Sequence, residues 1–301
     1  MSRKKGKDID GILLLDKPLG RTSNSALQKV RYLFNAKKAG HTGSLDPLAT
    51  GVLPICFGQA SKVTSLLLNS NKRYIFTLEL GSTTTSGDKE GVVLQTREIK
   101  PFNKSDIETV ISTFRGDIKQ IPPMYSALKH NGQPLYKLAR QGIEIKRKER
   151  KVTIHELKLL EFTNNTITFN VMCSKGTYIR TLAQDIGESL GCGAHLSMLK
   201  RTEVEPFNCS RLYTIEEIER LSEANDLDKT LLPIDSVLQE YPSMVLSTEE
   251  EKRIKNGLKV ARRDIPESQI IRLYSNDNEF IGIGRFSSDY QLAAKRLMKT
   301  N

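Results

Sequence analysis

Alternation of apolar and polar positions is clearest in "KRYIFTLELG", where Tyr74, Phe76, Leu78 and Leu80 fall on one face of a predicted strand. Ile167, Phe169, Val171 and Cys173 predict a second strand in the same way. Elsewhere the period lengthens to that of a helix. In "RTSNSALQKVRYLFNAKKAG", Ala26, Val30, Leu33 and Phe34 recur at helical spacing, Thr22 or Ser23 could cap the start, and Lys37 and Lys38 close it before Gly40. "KSDIETVISTFRG" carries Ile107, Val110, Ile111 and Phe114 behind a capping box read as Ser105 with Glu108. A third stripe, Ile179, Leu182, Ala183, Ile186 and Leu190, follows "SKGTY", and Thr214 with Glu217 opens a fourth helix.

Between Ile121 and Lys151 this regularity loosens into prolines, glycines, tyrosines and a basic run, which predicts an excursion projecting from the core. After "LLPID" the chain changes character: a short helix near Ser247 to Asn256, then a hairpin turning at Ser275 to Asn278. Strands and helices are interspersed without a βαβ rhythm. The expectation is an α+β fold with a main body over 1–243, the excursion at 121–151 within it, and a small second domain over 244–301.

With 301 residues and 38% hydrophobic composition, the chain has the make-up of a globular protein. Its net charge of +11 would attract a polyanion and make that binding salt-sensitive, although a solvated basic surface accounts for the same number. The apolar run after the basic start, Ile12 to Leu15, is too short for a signal-peptide core and nothing later approaches a membrane span. The cytoplasm is therefore the default compartment. Cys56, Cys173, Cys192 and Cys209 are scattered and read as small buried thiols. His41, His130, His155 and His195 are dispersed rather than at metal spacing, and neither a phosphate-binding glycine loop nor a nucleophile elbow occurs. An enzyme of this sequence is expected to work without cofactor or metal.

Two residues stand out against that background. Asp46 in "HTGSLDPLATG" precedes a proline, the pattern of a helix N-cap, and local pattern alone favours that reading. Gly51 then arrives too soon to leave a helix worth capping, and an aspartate beside a buried-looking run can serve as a nucleophile. Arg180 falls in the first turn of a helix, where the dipole disfavours a cation. It is either solvent-facing or paired with an acid such as Asp46. Tyr74 reads from the alternation first as a core tyrosine, and alternatively as a ring that stacks on a planar substrate.

Five blocks decide among these readings: "GILLLDKPLGRTS", "GHTGSLDPLATGVLPICFG", "KRYIFTLELG", "CSKGTYIRTLAQDIG" and "GCGAHLSMLKR". In this order and spacing the chain resembles the bacterial TruB-type tRNA pseudouridine-55 synthases, densely from Gly11 to Arg201 and more loosely beyond. The resemblance implies a mixed, largely antiparallel central sheet of the pseudouridine synthase type with flanking helices, a thumb-like insertion at 121–151, and a C-terminal PUA-like β-rich RNA-binding domain. It implies isomerisation of a T-loop uridine in tRNA to pseudouridine, without cofactor or metal, by a monomer that grips the tRNA elbow. By matching position, Asp46 would be the catalytic carboxylate, Tyr74 the ring stacked on the flipped base, and Arg180 the partner of the aspartate. His41, Tyr178 and Leu199 would contact substrate, with Lys17 in support. Lys146, Arg147, Lys148, Arg150 and Lys151 of the insertion suit phosphate contacts.

One departure is visible: where the family often writes T-D-T-x-D after its "ELG" strand, this chain has Thr85 at the first acid and keeps Asp88 at the second. Two alternatives stay open, a related synthase with another RNA target and an RNA-binding folding chaperone in which modification is secondary. The insertion and the tRNA-type blocks argue against a guide-RNA-dependent relative.

Overall fold

The computed structural model describes residues 6–207, 211–262, 270–287 and 289–299, so Cys209 lies outside the described residues. The apolar run near the start forms β1 (Gly11–Lys17), buried on both faces. Helix α1 (Ser23–Leu33) follows, with the Thr22 side chain accepting from the Ser25 N–H as its cap. Next come β2 (Ala39–His41), β3 (Ala49–Phe57), α2 (Thr64–Asn69) and β4 (Lys72–Leu80). A two-stranded ribbon, β5 (Ser82–Thr84) with β6 (Val93–Thr96), leads to α3 (Lys104–Ser112) and β7 (Gly116–Gln120).

The expected excursion leaves at the end of β7. It contains a minimal hairpin, β8 (Lys129–His130) and β9 (Gln133–Pro134), and a short α4 (Leu135–Arg140). It returns as β10 (Arg150–Phe162), whose Arg150 pairs with Gln120, so the insertion springs from one hydrogen-bonded strand pair. Then β11 (Thr166–Cys173), α5 (Ile179–Ser189), β12 (Ala194–Val204) and α6 (Ile215–Glu223) complete the larger sheet and its helices.

The main sheet runs β1-β3-β12-β4-β11-β10-β7, with β2 on the flank of β3. Every pairing is antiparallel except β12 with β3, which agrees with the mixed, largely antiparallel sheet expected. The predicted faces also hold. Tyr74, Phe76, Leu78 and Leu80 of β4 pack in one core with Ile167, Phe169, Val171 and Cys173 of β11 and the α5 stripe, under α3. Thr214 and Glu217 form the reciprocal box at α6. The box at α3 is corrected: it is made by Asn103 and Asp106, two residues before the pair read from sequence. Both spacings satisfy the pattern, and the earlier one seats Ile107 and Ile111 fully in the core.

Beyond α6 lie β13 (Ser243–Val245), α7 (Thr248–Lys255), β14 (Val260–Ala261), β15 (Ile270–Tyr274), β16 (Phe280–Phe286) and β17 (Gln291–Leu297). Their five-stranded sheet has its own core around Leu246, Ile254, Ile271 and Leu273. Ile283 and Met298 reach past it into a cluster with Ile12, Leu14 and Val52 of the main sheet. Among the described residues, Cys56, Cys173 and Cys192 are free and buried, and no helix is long and apolar enough to cross a membrane.

The parallel junction demands a glycine. Gly51 has φ +96°, and a Cβ there would stand against the Arg201 carbonyl oxygen, closer than side chains approach backbone. Gly51→Ala should therefore lower stability by about 2–3 kcal/mol in a urea titration, from strain plus the clash. Gly20→Ala meets nothing within 4 Å at φ +79° and should cost about 1 kcal/mol. Equal losses for the two would contradict a tight junction.

Candidate active site

Register places the site before any side chain is considered. Lys17 of β1 pairs with Gly51 of β3, Gly51 with Arg201 of β12, and Arg201 with Tyr74 of β4. These four residues form one row across four neighbouring strands, each step about 4.8 Å. One level along, Leu199 pairs with both Ala49 and Phe76. Leu199 and Arg201 share a face of β12, as Tyr74 and Phe76 share a face of β4, and that face lies toward α5.

Asp46 stands three residues before β3. It caps no helix: the turn after it closes with the Ala49 N–H donating to the Asp46 carbonyl at 3.0 Å, and the chain enters the strand at once. The turn is tied to its surroundings by Gly20 N–H donating to the Pro47 carbonyl (2.9 Å) and by Ser23, whose Oγ donates to the Leu45 carbonyl and accepts from the Leu45 N–H. The Asp46 side chain remains 42% exposed, so it is not a sealed core position.

Arg180 resolves its own anomaly. Its Nε lies 2.9 Å from Asp46 Oδ2, and its side chain is only 6% exposed. Nη1 donates to the Ser86 carbonyl (2.9 Å) and faces Asp88 Oδ2 at 3.7 Å, while Nη2 donates to the Tyr125 carbonyl (2.6 Å) in the insertion. Two carboxylates compensate the charge that the helix start disfavours. Asp88 is itself fixed by Ser86 Oγ and by the Glu90 N–H. Thr85, at the family's usual acid position, is exposed and accepts from the Val92 N–H, outside this network.

Tyr178 precedes α5 and is held by a residue that sequence reasoning missed. Buried Gln120, the last residue of β7, accepts from the Tyr178 N–H (3.0 Å) and donates to its carbonyl (3.3 Å). Lys17 is fully buried, its Nζ donating to the carbonyls of Pro18 (2.9 Å) and Arg21 (2.5 Å), so it braces the loop beside Pro47. Arg201 was also missed: it is 2% exposed and donates from Nε to the Val52 carbonyl (2.7 Å) and from Nη2 to the Gly43 carbonyl (3.1 Å). Nothing local in "MLKRTEVEP" marks it as buried; only its place in mid-sheet does. The His41 Nδ1 and Thr42 Oγ1 are buried with no hydrogen-bond partner among the described residues.

The charges interact as their positions require. Burial raises the Asp46 carboxyl above the ordinary aspartate range; Arg180 opposes this, Asp88 adds to it and Lys17 offsets it. Burial brings Lys17 down to about 8, against the pull of Asp46. Burial, then Arg201, lowers His41 and so favours the neutral ring. Burial raises Tyr74 and Tyr178, and both sense the Asp46 charge. The structure thus brings Arg180, Tyr74, Tyr178 and Lys17 within electrostatic reach of Asp46. Leu199 lies one level from Tyr74 and Arg201 in the same sheet, and His41 lies within reach of the Arg201 charge. Among the described residues, no cluster of three or more His, Cys, Asp or Glu side chains is arranged to hold a metal ion. A carboxylate held by a buried arginine, with two tyrosines sensing its charge, suits attack on, or proton removal from, a planar substrate carried on a sugar.

Comparison with known proteins points the same way. The TruB family pseudouridylate synthase N-terminal domain model matches residues 31–179, the tRNA pseudouridylate synthase B C-terminal domain matches 180–239, and the pseudouridine synthase II TruB C-terminal model matches 242–298. A tRNA pseudouridine synthase B of Pseudomonas fluorescens is 52% identical over 297 residues, 98% of this chain and 97% of the relative. One from Nitrosococcus oceani is 48% identical over 298 residues, with the same coverage of each chain. Among solved structures, a chain from a Cbf5-Nop10-Gar1 complex superposes with a TM-score of 0.71 at 25% identity, covering 96% of this chain and 84% of its own. One from an H/ACA RNP bound to a substrate RNA gives 0.72 at 21% identity, covering 100% and 92%, a likeness of fold.

The ion pair is asymmetric, and stability should register it. Arg180→Met leaves Asp88 buried without its counter-charge and two carbonyls without a donor, an expected loss of about 3–5 kcal/mol in chemical denaturation. Asp46→Asn, at a half-exposed position with Asp88 still facing Arg180, should cost under about 1 kcal/mol. Comparable losses for the two would contradict this arrangement.

Proposed function

The chain belongs to the TruB family of pseudouridylate synthases and isomerises uridine in tRNA to pseudouridine; from that premise we propose that its target is the T-loop uridine at position 55 and that Asp46 carries the reaction. The single observation behind this assignment is the Arg180–Asp46 pair, a partly exposed carboxylate held at 2.9 Å by an arginine that is itself buried.

The reaction detaches the base from C1′, turns it, and rejoins it through C5. A carboxylate serves this by attacking C1′, by adding to C6, or by withdrawing a ribose proton, and a fixed Asp46 suits each route. All three need a base flipped out of its stack into a pocket poor in water, since an exposed intermediate would hydrolyse. In the proposed complex Tyr74 stacks on the flipped base and takes part in removing the C5 proton, Tyr178 and Leu199 supply the remaining walls, and His41 fills the space the nucleotide leaves. Lys17 braces the loop beneath. Stacking of this kind contributes about 1–3 kcal/mol per base.

The insertion closes over the T-loop in this reading. Its support is the bond from Arg180 to the Tyr125 carbonyl, which links the base of the insertion to the residue that orients Asp46. Residues 244–301 are proposed as an RNA-binding module of the PUA kind, with Arg285 and Lys295 beside a groove on the sheet of β16 and β17. The enzyme is proposed to act as a monomer in the cytoplasm, using side chains alone.

The test is incubation with an unmodified tRNA transcript followed by chemical mapping of pseudouridine. The expected product is at the T-loop uridine; product elsewhere, or none from well-folded protein, overturns the assignment. Asp46→Asn should bind the transcript as wild type does and form no product, and turnover by this variant would remove Asp46 from the chemistry. The raised carboxyl also predicts a pH profile. As pH falls through the Asp46 pKa the nucleophile is neutralised, so the acid limb of the single-turnover rate should lie above the ordinary aspartate value of 3.8. An acid limb at or below that value would contradict the burial argument.

A further inference from the structure

Arg201 has a residue's worth of charge and no anion to meet it. Among the described residues it forms no ion pair, yet its side chain is one of the largest fully buried in the chain. Among the groups that feel its charge are Lys17 from β1, His41 from β2, and Lys72 and Tyr74 from β4, all basic or phenolic. Burying an unpaired guanidinium is expensive, and a core packed only for stability would place an aliphatic side chain there.

Its contacts fall on both sides of the catalytic loop. Nη2 reaches the Gly43 carbonyl, three residues before Asp46, and Nε reaches the Val52 carbonyl, six residues after it. Directly across β12 and β4, Arg201 is the pairing partner of Tyr74, which puts the two Cβ atoms about 4.5–5.5 Å apart. The Gly51 backbone packs against the Arg201 backbone on the other side. One side chain therefore touches the loop that presents the carboxylate and the strand that presents the ring.

We propose that Arg201 is a positioning residue that acts through Tyr74: its guanidinium pins the Asp46 loop at Gly43 and Val52 and holds the Tyr74 hydroxyl, so that ring and carboxylate meet the substrate at a fixed separation. The inference rests on the assignment of Asp46 and Tyr74 made above. The fork geometry lets one planar group satisfy two divergent carbonyls and a hydroxyl, which a lysine ammonium on a flexible stem reproduces less well. Its charge favours any negative charge that develops on the Tyr74 oxygen, where the other charged or ionisable neighbours are Asp46 from the loop and Cys173 from β11.

Two measurements test this. In single-turnover assays on tRNA transcript, Arg201→Gln should lower the rate about 100-fold, the cost of a small misplacement at the reacting centre, while the transcript Kd stays within about 3-fold. Arg201→Lys should recover about 10-fold of that loss. Separately, a fluorinated tyrosine placed at position 74, whose phenol ionises near neutral pH, reports its midpoint by 19F NMR without substrate. Arg201→Gln should raise that midpoint by about one unit, and Arg201→Lys by much less.

A midpoint unmoved by Arg201→Gln, or a loss carried by Kd rather than by the rate, overturns the proposal. If Arg201→Gln does not fold in a thermal melt, Arg201→Lys decides alone. A rate about 10-fold down with unchanged Kd and midpoint then supports it, and a wild-type rate overturns it. Wild-type enzyme that forms no T-loop product would defeat the underlying assignment instead, so the two failures are distinguishable.

Discussion

The three-residue parallel ladder between β3 and β12 joins the two halves of the main sheet, and it closes at the backbone contact of Gly51 with Arg201. On one side lie β1, β2 and β3 with the Asp46 loop; on the other lie β4, β11, β10 and β7 with Tyr74 and the root of the insertion. A side chain at Gly51 would push these halves apart. With glycine there, Lys17 and Tyr74 fall in one row, and Ala49 and Leu199 in the next. The position of Asp46 follows, because only two residues separate it from Ala49.

Arg180 then reaches that loop from the opposite layer. Buried arginine is tolerable when its donors are matched, and here two carboxylates and two carbonyls surround it. Because one of those carbonyls belongs to Tyr125, the insertion, the helix α5 and the Asp46 loop share one guanidinium. In the proposed complex, docking RNA under the insertion and orienting the carboxylate would be linked through that side chain.

Much of this was legible along the chain. Alternation in 74–80 and 167–173 gave the central strands and their inner faces, since each side chain there is decided by the pleat. The α5 stripe, the box at Thr214 and the short helix from Ser247 are local events that local chemistry specifies. Arg180 showed as a breach of the helix-dipole rule, and its pairing explains the breach. Asp46 misled at close range: Asp-Pro reads as a cap until the next strand is known to begin at Ala49. Gln120 and Arg201 carried no local mark. Their burial comes from segments 58 and 149 residues distant in sequence, to which they bond at Tyr178 and Val52, and no period or cap reports such a meeting. The shift of the α3 box to Asn103 and Asp106 is the milder case, two overlapping patterns resolved by which register buries the apolar stripe.

The central claim is spatial: a flipped uridine meets Asp46 at its sugar and Tyr74 at its base. A structure of the enzyme with a T-arm stem-loop carrying 5-fluorouridine at the target position measures this directly. The account predicts the nucleotide outside its stack, the ring of Tyr74 against the base face, and C1′ or C6 about 3–3.5 Å from an Asp46 carboxylate oxygen still paired with Arg180. A target nucleotide stacked within the loop, or flipped into a pocket that excludes Asp46, would contradict it.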